Sequence, residues 1–402
     1  MALPFLLRRV ELRNYRSIEH CDVELGPLMF LVGPNGSGKS NFLDALRFVS
    51  DSASESVNHA LWLRGGFRQV CRSTGEPVHS FSIKLTLSLA DLLSIEYMVE
   101  IGESDDRFGF EIRKETFRPL KNDQDFDTSY ERSLLAPVVF NSSSLSFNLG
   151  LQLEKHPPEA SLSGLYLKTI SGWPIFKEVL RMLANMTFYS PSVAAMREHQ
   201  NPDPGDRLTR DGANIGSVIR SLRQLNPDTA LRVQEYLSAA IPRLLNVADE
   251  QVGDKVTLKF IESGATGGLE KFFYASSMSD GTLRMLAILV ALFQKSERLS
   301  LVGIEEPEMG VHPAAAGVVF ESLHEASLSR QVLVTSHSSD LLDRDDVEID
   351  SILAVSAEDG ATLIGPLDEG KKNVLRKKLG TAGELLRRDM LIPERAPIPA
   401  HS

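Results

Sequence analysis

The stretch GPNGSGKS at Gly33–Ser40 decides the fold of this 402-residue chain. It fits the pattern G-x-x-x-x-G-K-[ST], in which glycines let backbone amides close around phosphate oxygens. In such a loop Lys39 would place a charge on the outer phosphates and the Ser40 hydroxyl would ligate Mg²⁺. The pattern therefore predicts a phosphate-binding loop with ATP as its ligand.

The flanks of the loop support this interpretation. Leu28–Val32 is a short apolar run typical of a strand buried on both faces. Asn41–Val49 has helical apolar spacing, and the positive end of such a helix would point at the same phosphates. An incidental glycine turn between strand and helix is the alternative, and the strand–loop–helix context disfavours it.

Two adjacent acids follow a second apolar run, Leu301–Ile304. Phosphoryl transfer needs positioning and charge stabilisation more than covalent help. We predict that Glu305 holds Mg²⁺ through its water shell and that Glu306 polarises the attacking water. Two acids at a strand end also occur as ordinary solvated turn residues, and the phosphate loop elsewhere in the chain favours the functional interpretation.

A histidine follows a third apolar run, which ends at Ser336. This run and Leu301–Ile304 are expected to form adjacent parallel strands with functional residues at their carboxyl ends. His337 would then reach the terminal phosphate and the attacking water. A purely structural histidine is the alternative.

The segment Ser277–Thr282 precedes an apolar helix predicted at Leu283–Phe293. A serine hydroxyl, glycine amides and a helix start together form an anion site. The same segment also predicts a helix N-cap at Ser279 or Asp280. The two roles are compatible.

Periodicity outlines the rest of the chain. Unbroken alternation over residues 81–89 predicts a half-buried strand, which we expect to join an antiparallel sheet with strands at Ile95–Ile101 and Phe108–Phe117. Residues 121–158 are polar and weakly periodic, which indicates a surface excursion or an insertion. Further helices are predicted at Trp173–Ala184, Ile215–Leu225 and Ala230–Ala240.

Net charge, cysteine content and the length of apolar runs limit the classes of function open to this chain. The formal net charge is −11, so a contact with nucleic acid would need a local basic patch or a partner that supplies one. The two cysteines, Cys21 and Cys71, give neither a metal spacing nor a disulfide framework, and a reducing cytoplasm is expected. No apolar run reaches the roughly 18–20 residues that span a bilayer.

Together these motifs, in this order, resemble the ABC-type ATPase heads of the RecF, SMC and OLD group. The resemblance is closest to the single-chain "predicted ATPase" branch of the AAA family found near bacterial defence genes. It covers residues 1–115 and 186–345 well and 120–185 poorly. The matching segments are Leu12–Ile18, Gly33–Asn41, Ser279–Thr282, Glu305–Glu308 with His312 and Pro313, and Ser336–Ser338.

The resemblance implies an α/β P-loop head with a mixed central sheet, an antiparallel β subdomain and a helical lobe. We expect residues 1–115 to form the N-terminal part of the head and 186–393 its C-terminal part. Residues 116–185 would be an insertion. A tail at 394–402 is expected to be disordered.

The resemblance also implies a mechanism. Such heads form a head-to-tail homodimer with two ATP molecules between the subunits, and hydrolysis releases the dimer. Ser279, Asp280 and Gly281 of one subunit would contact ATP held by the other, and Glu306 and His337 would be catalytic. Mg²⁺ would be held by Ser40 and Glu305. The nucleotide contacts carried over are Arg16, Asn35, Gly36, Ser37, Gly38, Lys39, Ser40 and Asn41.

The expected function is a cytoplasmic ATPase switch without a membrane partner. It would couple the ATP state to DNA binding or to a separate effector protein such as a nuclease, in bacterial anti-phage defence or DNA maintenance. A RecF-like DNA repair ATPase is one alternative. An ABC transporter subunit is another, disfavoured by the segment Arg13–Arg16 and by the acid motif.

Some residues depart from the wider pattern. Glu305 replaces the usual aspartate, and Asp280 stands where ABC transporters have glycine. No long coiled coil interrupts the head, which argues against SMC and break-repair members. The 65 residues after His337 contain no obvious cluster of acids that would indicate a Toprim nuclease, which separates this chain from the full OLD nucleases. Gln69 is a candidate switch glutamine that we leave unassigned.

Overall fold

A computed structural model describes most of the chain, in two compact units. The first unit comprises residues 1–186, 348–379 and 389–402, and the second comprises 187–347 and 380–388. The described residues are 3, 5–73, 78–89, 93–105, 109–120, 128–134, 136–141, 158–264, 269–294, 299–344 and 346–394. The predicted tail 394–402 lies outside this set apart from Glu394, as do residues 121–127, 135 and 142–157 of the predicted insertion.

The first unit contains ten strands of a mixed sheet, in the order β8-β7-β6-β5-β4-β1-β2-β16-β15-β3. Neighbouring strands from β8 to β2 in this order are antiparallel, and so are β16 and β15. The two parallel pairs are β2 with β16 and β15 with β3. The strands are β1 (Phe5–Tyr15), β2 (Ile18–Glu24), β3 (Leu28–Val32), β4 (Ser80–Leu89), β5 (Leu93–Glu103), β6 (Phe110–Pro119), β7 (Ser129–Ser133), β8 (Ala136–Asn141), β15 (Ile352–Glu358) and β16 (Ala361–Pro366).

The first helix of this unit follows β3 after the loop at residues 33–38. The helices of the first unit are α1 (Lys39–Ser54), α2 (Val57–Trp62), α3 (Phe67–Val70), α4 (Tyr166–Thr169), α5 (Pro174–Ala184) and α12 (Glu369–Arg376), with a 3₁₀ turn at Ile349–Ser351. The predicted strand–loop–helix unit around residues 33–40 is thus confirmed, as are the strand at 81–89 and the helix near 173–184. Three aromatic rings pack edge to face between α1 and the sheet, at Tyr15, Phe48 and Phe81.

Strands β7 and β8 lie inside residues 121–158, which were interpreted from the sequence as a surface excursion or an insertion without assigned strands. Strand β7 was not predicted because Arg132 is buried at a position where the alternating pattern of a strand would require an apolar residue. Arg132 forms an ion pair with the fully buried Glu115. The Glu115 carboxylate also accepts hydrogen bonds from the amides of Tyr166 and Leu167 at 2.6 and 2.9 Å. Burial raises the pKa of Glu115 despite these donors.

The second unit pairs β13 with β14 in parallel, so that Glu305 lies opposite Thr335 at the carboxyl ends of both strands. This arrangement confirms the sequence prediction. Strand β9 lies beside β13. A separate antiparallel sheet has the order β10-β11-β12. The strands are β9 (Met186–Tyr189, of which 187–189 belong to this unit), β10 (Leu244–Val252), β11 (Lys255–Glu262), β12 (Lys271–Tyr274), β13 (Leu301–Glu305) and β14 (Gln331–Ser336).

The helices of the second unit include the apolar one predicted from the sequence. Helix α9 is buried on all sides over residues 285–292, as expected of a helix without a polar face. The helices are α6 (Val193–Arg197), α7 (Ile215–Leu225), α8 (Pro227–Ala240), α9 (Asp280–Phe293), α10 (Ala316–Ser327), α11 (Ser339–Leu342) and α13 (Ala382–Arg387), with 3₁₀ turns at Ala275–Ser277 and Pro313–Ala315. Across the described ranges, no helix combines the length and apolarity needed to cross a bilayer.

Candidate functional site

The glycines of the phosphate loop occupy positions that a side chain could not share. Gly38, the residue before α1, has φ +103°, and a Cβ there would lie 2.0 Å from the Thr362 hydroxyl. A Cβ on Gly33 would lie 2.0 Å from the carbonyl oxygen of Val355. Gly36 also has a positive φ, +78°. Strands β15 and β16 therefore press against the loop and require glycine on two sides.

Lys39 is buried beneath the loop and holds it closed. Its Nζ donates hydrogen bonds to the carbonyl oxygens of Gly33 and Pro34 at 2.8 and 2.9 Å. The Ser37 hydroxyl is also buried, and it has no hydrogen-bond partner among the described residues. A buried hydroxyl without a partner is costly, and a phosphate oxygen would satisfy it. The loop therefore fits a phosphate group.

Thr362 connects the loop to the first hairpin. Its hydroxyl donates to the Ser37 carbonyl at 2.9 Å and lies 2.7 Å from the Ser17 hydroxyl. Ser17 in turn accepts a 2.6 Å hydrogen bond from the Asn41 side chain. Asn41, predicted to contact nucleotide, is thus also a structural link at the start of α1. Thr362 was not predicted to belong to the site, because a single threonine far from the phosphate loop in the sequence is part of no motif.

Arg16 lies in the turn between β1 and β2, at φ +49°, with its amide bonded to the Val70 carbonyl at 2.7 Å. Its guanidinium contacts the Asp44 carboxylate of α1 at 2.9 Å. The Arg16 Nε is buried and has no hydrogen-bond partner in the described part of the chain. The turn therefore points Arg16 towards α1, where it pairs with an acid.

Asp44 is the centre of a charge cluster on α1. It accepts hydrogen bonds from the Tyr15 hydroxyl at 2.8 Å and from Arg64 at 3.1 Å. Burial alone would raise the pKa of Asp44, but the charges of Arg64 and Arg16 outweigh it and the net shift is downward. The carboxylate therefore stays charged and fixes both arginines.

In the second unit, Glu306 and His337 lie side by side. Glu306 has φ +46°, a backbone conformation uncommon outside glycine, and its amide donates to the Thr335 carbonyl at 2.9 Å. One carboxylate oxygen lies 3.3 Å from the His337 Nδ1. The structure thus brings together the two residues predicted to be catalytic.

Glu308 organises the loop that carries His337. Its Oε1 accepts hydrogen bonds from the Ser336 hydroxyl at 2.6 Å and from the His337 and Ser338 amides at 3.2 Å. Its Oε2 is buried without a hydrogen-bond partner in the described ranges. Glu308 had no predicted role, although its place as the third acid of the Glu305–Glu308 motif was the available signal.

Glu305 is paired with an arginine that belongs to none of the sequence motifs. The Arg210 guanidinium donates to the Glu305 carboxylate at 2.7 Å. Arg210 precedes α7 in a segment without regular secondary structure. No motif marked it, because the contact joins residues far apart in the sequence.

The start of α9 has the predicted cap. Ser279 is the N-cap residue and accepts a 3.2 Å hydrogen bond from the Thr282 amide. Asp280 pairs with Arg197 at 2.7 Å. A Cβ on Gly281 would lie 2.2 Å from the Gly310 carbonyl oxygen, so glycine is required here for packing even without nucleotide.

The predicted site residues therefore fall into two groups. Arg16 and residues 35–41 lie in the first unit, and residues 279–281, Glu305, Glu306 and His337 lie in the second. Ser40 is an exposed residue and the Glu305 side chain is partly exposed, and both carry the hard oxygen ligands that Mg²⁺ prefers. The donor chemistry of both residues fits the proposed ion, and their roles in binding remain predictions.

The chain is similar to known proteins over different parts of its length. The family of AAA domains described as "putative AbiEii toxin, Type IV TA system" matches residues 28–343. Structural maintenance of chromosomes protein 6 of Saccharomyces cerevisiae is 31% identical over 118 residues, which are 29% of this chain and 11% of that protein. The OLD nuclease of Thermus scotoductus is 46% identical over 44 residues, 11% of this chain and 8% of the nuclease.

A solved structure shows the same fold. The SMC head bound to the C-terminal winged-helix domain of ScpA superposes with a TM-score of 0.53 at 13% identity, covering 91% of this chain and 99% of that head. These matches confirm the predicted resemblance to RecF, SMC and OLD heads and the α/β P-loop fold. The chain spans only small parts of the two relatives' own lengths.

Proposed function

Because the chain belongs to the family of AAA domains described as putative AbiEii toxins of type IV toxin–antitoxin systems, we propose that it is an ATP-hydrolysing, dimerising switch. The phosphate loop is the observation that carries the proposal. Gly38 and Gly33 shape the loop, and Lys39 and Ser37 place an ammonium and an unsatisfied hydroxyl inside it. ATP supplies the phosphates that these groups fit.

Hydrolysis is supported by the second group of residues. Glu306 is held by Thr335 and lies beside His337, which suits a base that orients and deprotonates water while the histidine contacts a phosphate. Mg²⁺, held by Ser40 and through water by Glu305, would supply charge neutralisation at the phosphates. Arg16, Asn35 and Asn41 would complete the nucleotide contacts.

Dimerisation is supported by the start of α9. Ser279 and Asp280 are exposed, and the helix N-terminus presents a positive dipole end. We propose that Ser279, Asp280 and Gly281 contact ATP bound to the Lys39 of a second copy. ATP then joins the two copies, and its hydrolysis releases them.

Mixing two inactive variants tests the composite site. Lys39→Ala and Ser279→Arg should each abolish ATPase activity, because every homodimeric site lacks one element. Mixed in equal amounts, they should recover about a quarter of wild-type turnover, since half of randomly paired dimers hold one intact site of two. Phosphate release measures the recovery.

The matched control mixes Lys39→Ala with Glu306→Gln. Both changes lie on the same side of the proposed site, so no heterodimer gains an intact one and no recovery is expected. If Ser279→Arg alone retains wild-type turnover, hydrolysis takes place within one chain and the dimer proposal is wrong.

A separate effector is the proposed output. The SMC head of similar fold is bound to a domain of another protein, ScpA. By analogy we propose that the ATP-bound dimer engages a separate effector such as a nuclease, in the cytoplasm, in anti-phage defence or DNA maintenance. The division into head parts at 1–115 and 186–393 around an insertion is part of the same proposal.

A second candidate function, nucleic-acid binding as in a RecF-like ATPase, is favoured by helix α12. None of its residues is buried, although the chain as a whole carries a net charge of −11. Glu369 pairs with Lys372 and Arg376. Lys371 on the helix, and Lys377 and Lys378 directly after it, have no acidic partner among the described residues, and we propose that these three lysines bind phosphates.

Charge reversal of these three lysines tests this function. The variant Lys371→Glu/Lys377→Glu/Lys378→Glu should weaken binding to duplex DNA, and the slope of log affinity against log salt should fall by about 2–3, because each phosphate contact contributes about 0.9. Fluorescence anisotropy at several salt concentrations measures both. The control reverses three exposed charges elsewhere, Lys177, Arg223 and Lys271; an equal loss there would show that only net charge matters.

A further inference from the structure

We propose that Arg210 is a displaceable counterion that occupies the Glu305 carboxylate until Mg²⁺ and ATP bind, and that it thereby sets the Mg²⁺ concentration needed for nucleotide binding. The inference rests on the proposed function, because it regulates that same site. It adds a residue to which neither the motifs nor the resemblance assign a role.

The contact between the two residues is direct but accessible. The Arg210 guanidinium lies 2.7 Å from Glu305 Oε1, and 46% of the arginine side chain and 21% of the glutamate side chain are exposed. An ion pair with this exposure is weak and exchangeable, because water screens it and stabilises the separated charges. A hydrated Mg²⁺ can therefore compete for the same carboxylate.

The backbone around Arg210 is fixed, so only its side chain needs to move. The Arg210 carbonyl accepts a hydrogen bond from the Ser190 amide at 3.0 Å, and the Asp211 carbonyl accepts one from Ser192 at 2.9 Å. The Asp211 carboxylate also accepts from Thr209 and Ala213. A long side chain on an anchored backbone can swing into solvent without unfolding the segment.

Charge balance gives the exchange its direction. Glu305, Glu306 and Glu308 place three acids within four residues, and Arg210 and His337 are the basic groups that contact them in the described second unit. Without metal, Arg210 offsets part of this negative charge. A Mg²⁺ ion held by Glu305 would supply two positive charges, and the Arg210 guanidinium would then be a like charge at close range and would be repelled.

The experiment measures nucleotide binding rather than turnover. Binding of a fluorescent, non-hydrolysable ATP analogue is titrated with Mg²⁺ for the wild type, Arg210→Gln, Arg210→Lys and the control Arg207→Gln, which removes an exposed charge from the same segment. Arg210→Gln should lower the Mg²⁺ midpoint about three-fold, the size expected of an exposed ion pair. Arg210→Lys and Arg207→Gln should stay near the wild-type midpoint. Thermal unfolding without nucleotide confirms that each variant is folded.

Three outcomes would overturn the inference. An unchanged midpoint in folded Arg210→Gln would show that Arg210 does not compete with Mg²⁺. Weaker binding of the analogue both with and without Mg²⁺ would show that Arg210 instead contacts the phosphates. Failure of the wild type to bind the analogue would overturn the proposed function as well, whereas the first two outcomes leave that function intact.

Discussion

Replacing Lys39 with alanine is expected to weaken ATP binding about 10- to 100-fold and to abolish hydrolysis, given that a hydrogen bond to a charged group contributes roughly 1.5–3 kcal/mol. The ammonium is buried within the loop, where water screens it little. The variant loses the charge that the outer phosphates need. It also loses the two hydrogen bonds from Nζ to the carbonyl oxygens of Gly33 and Pro34.

Fluorescence anisotropy of a labelled ATP analogue measures the affinity, and phosphate release measures turnover. Lys177→Ala, which removes an exposed lysine, serves as the control and should behave as wild type. Thermal unfolding without nucleotide separates lost binding from lost folding. Wild-type affinity in a folded Lys39→Ala protein would show that the nucleotide binds elsewhere.

Replacing Glu306 with glutamine is expected to lower ATP turnover by about 10²- to 10⁴-fold while leaving ATP binding intact, as for loss of a general base. Glutamine has the same shape, so the strained backbone and its hydrogen bond to Thr335 should persist. The amide cannot take a proton from water. ATP should then remain bound, and the dimer should accumulate.

Single-turnover hydrolysis and mass photometry with and without ATP measure these effects. Glu235→Gln, at an exposed position on α8, is the matched control and should hydrolyse ATP normally. Turnover within a few-fold of wild type in Glu306→Gln would rule out the assigned base. Normal ATP binding with no accumulated dimer would instead contradict the proposal that ATP joins two copies.

Much of the fold was predictable because its signals are local. The alternation over residues 81–89 identified β4, and the all-round apolar composition of residues 283–293 identified α9 as buried. The N-cap at Ser279 also follows from neighbouring residues. Strand β7 was missed because its inward Arg132 pairs with Glu115, an exception that periodicity does not reveal.

Some residues of the candidate site were likewise predictable from local motifs, whereas the roles of others are visible only in the structure. The Gly33–Ser40 loop, the acids after β13 and the histidine after β14 were found because each is a short motif at the end of an element. Gly281 was assigned to anion binding, and its close approach to Gly310 adds a packing reason that no motif states. Glu308 was quoted within its motif, but only the structure shows that it holds the His337 loop.

The sequence by itself determined the family, the strand–loop–helix unit and the chemical type of each predicted group, because backbone dihedral preferences and apolar periodicity act over a few residues. Only the tertiary structure decided that Thr362 lies under the phosphate loop, that Asp44 fixes Arg16, and that Arg210 pairs with Glu305. Such contacts join residues on different elements. Their geometry depends on strand order and packing, which no local pattern encodes.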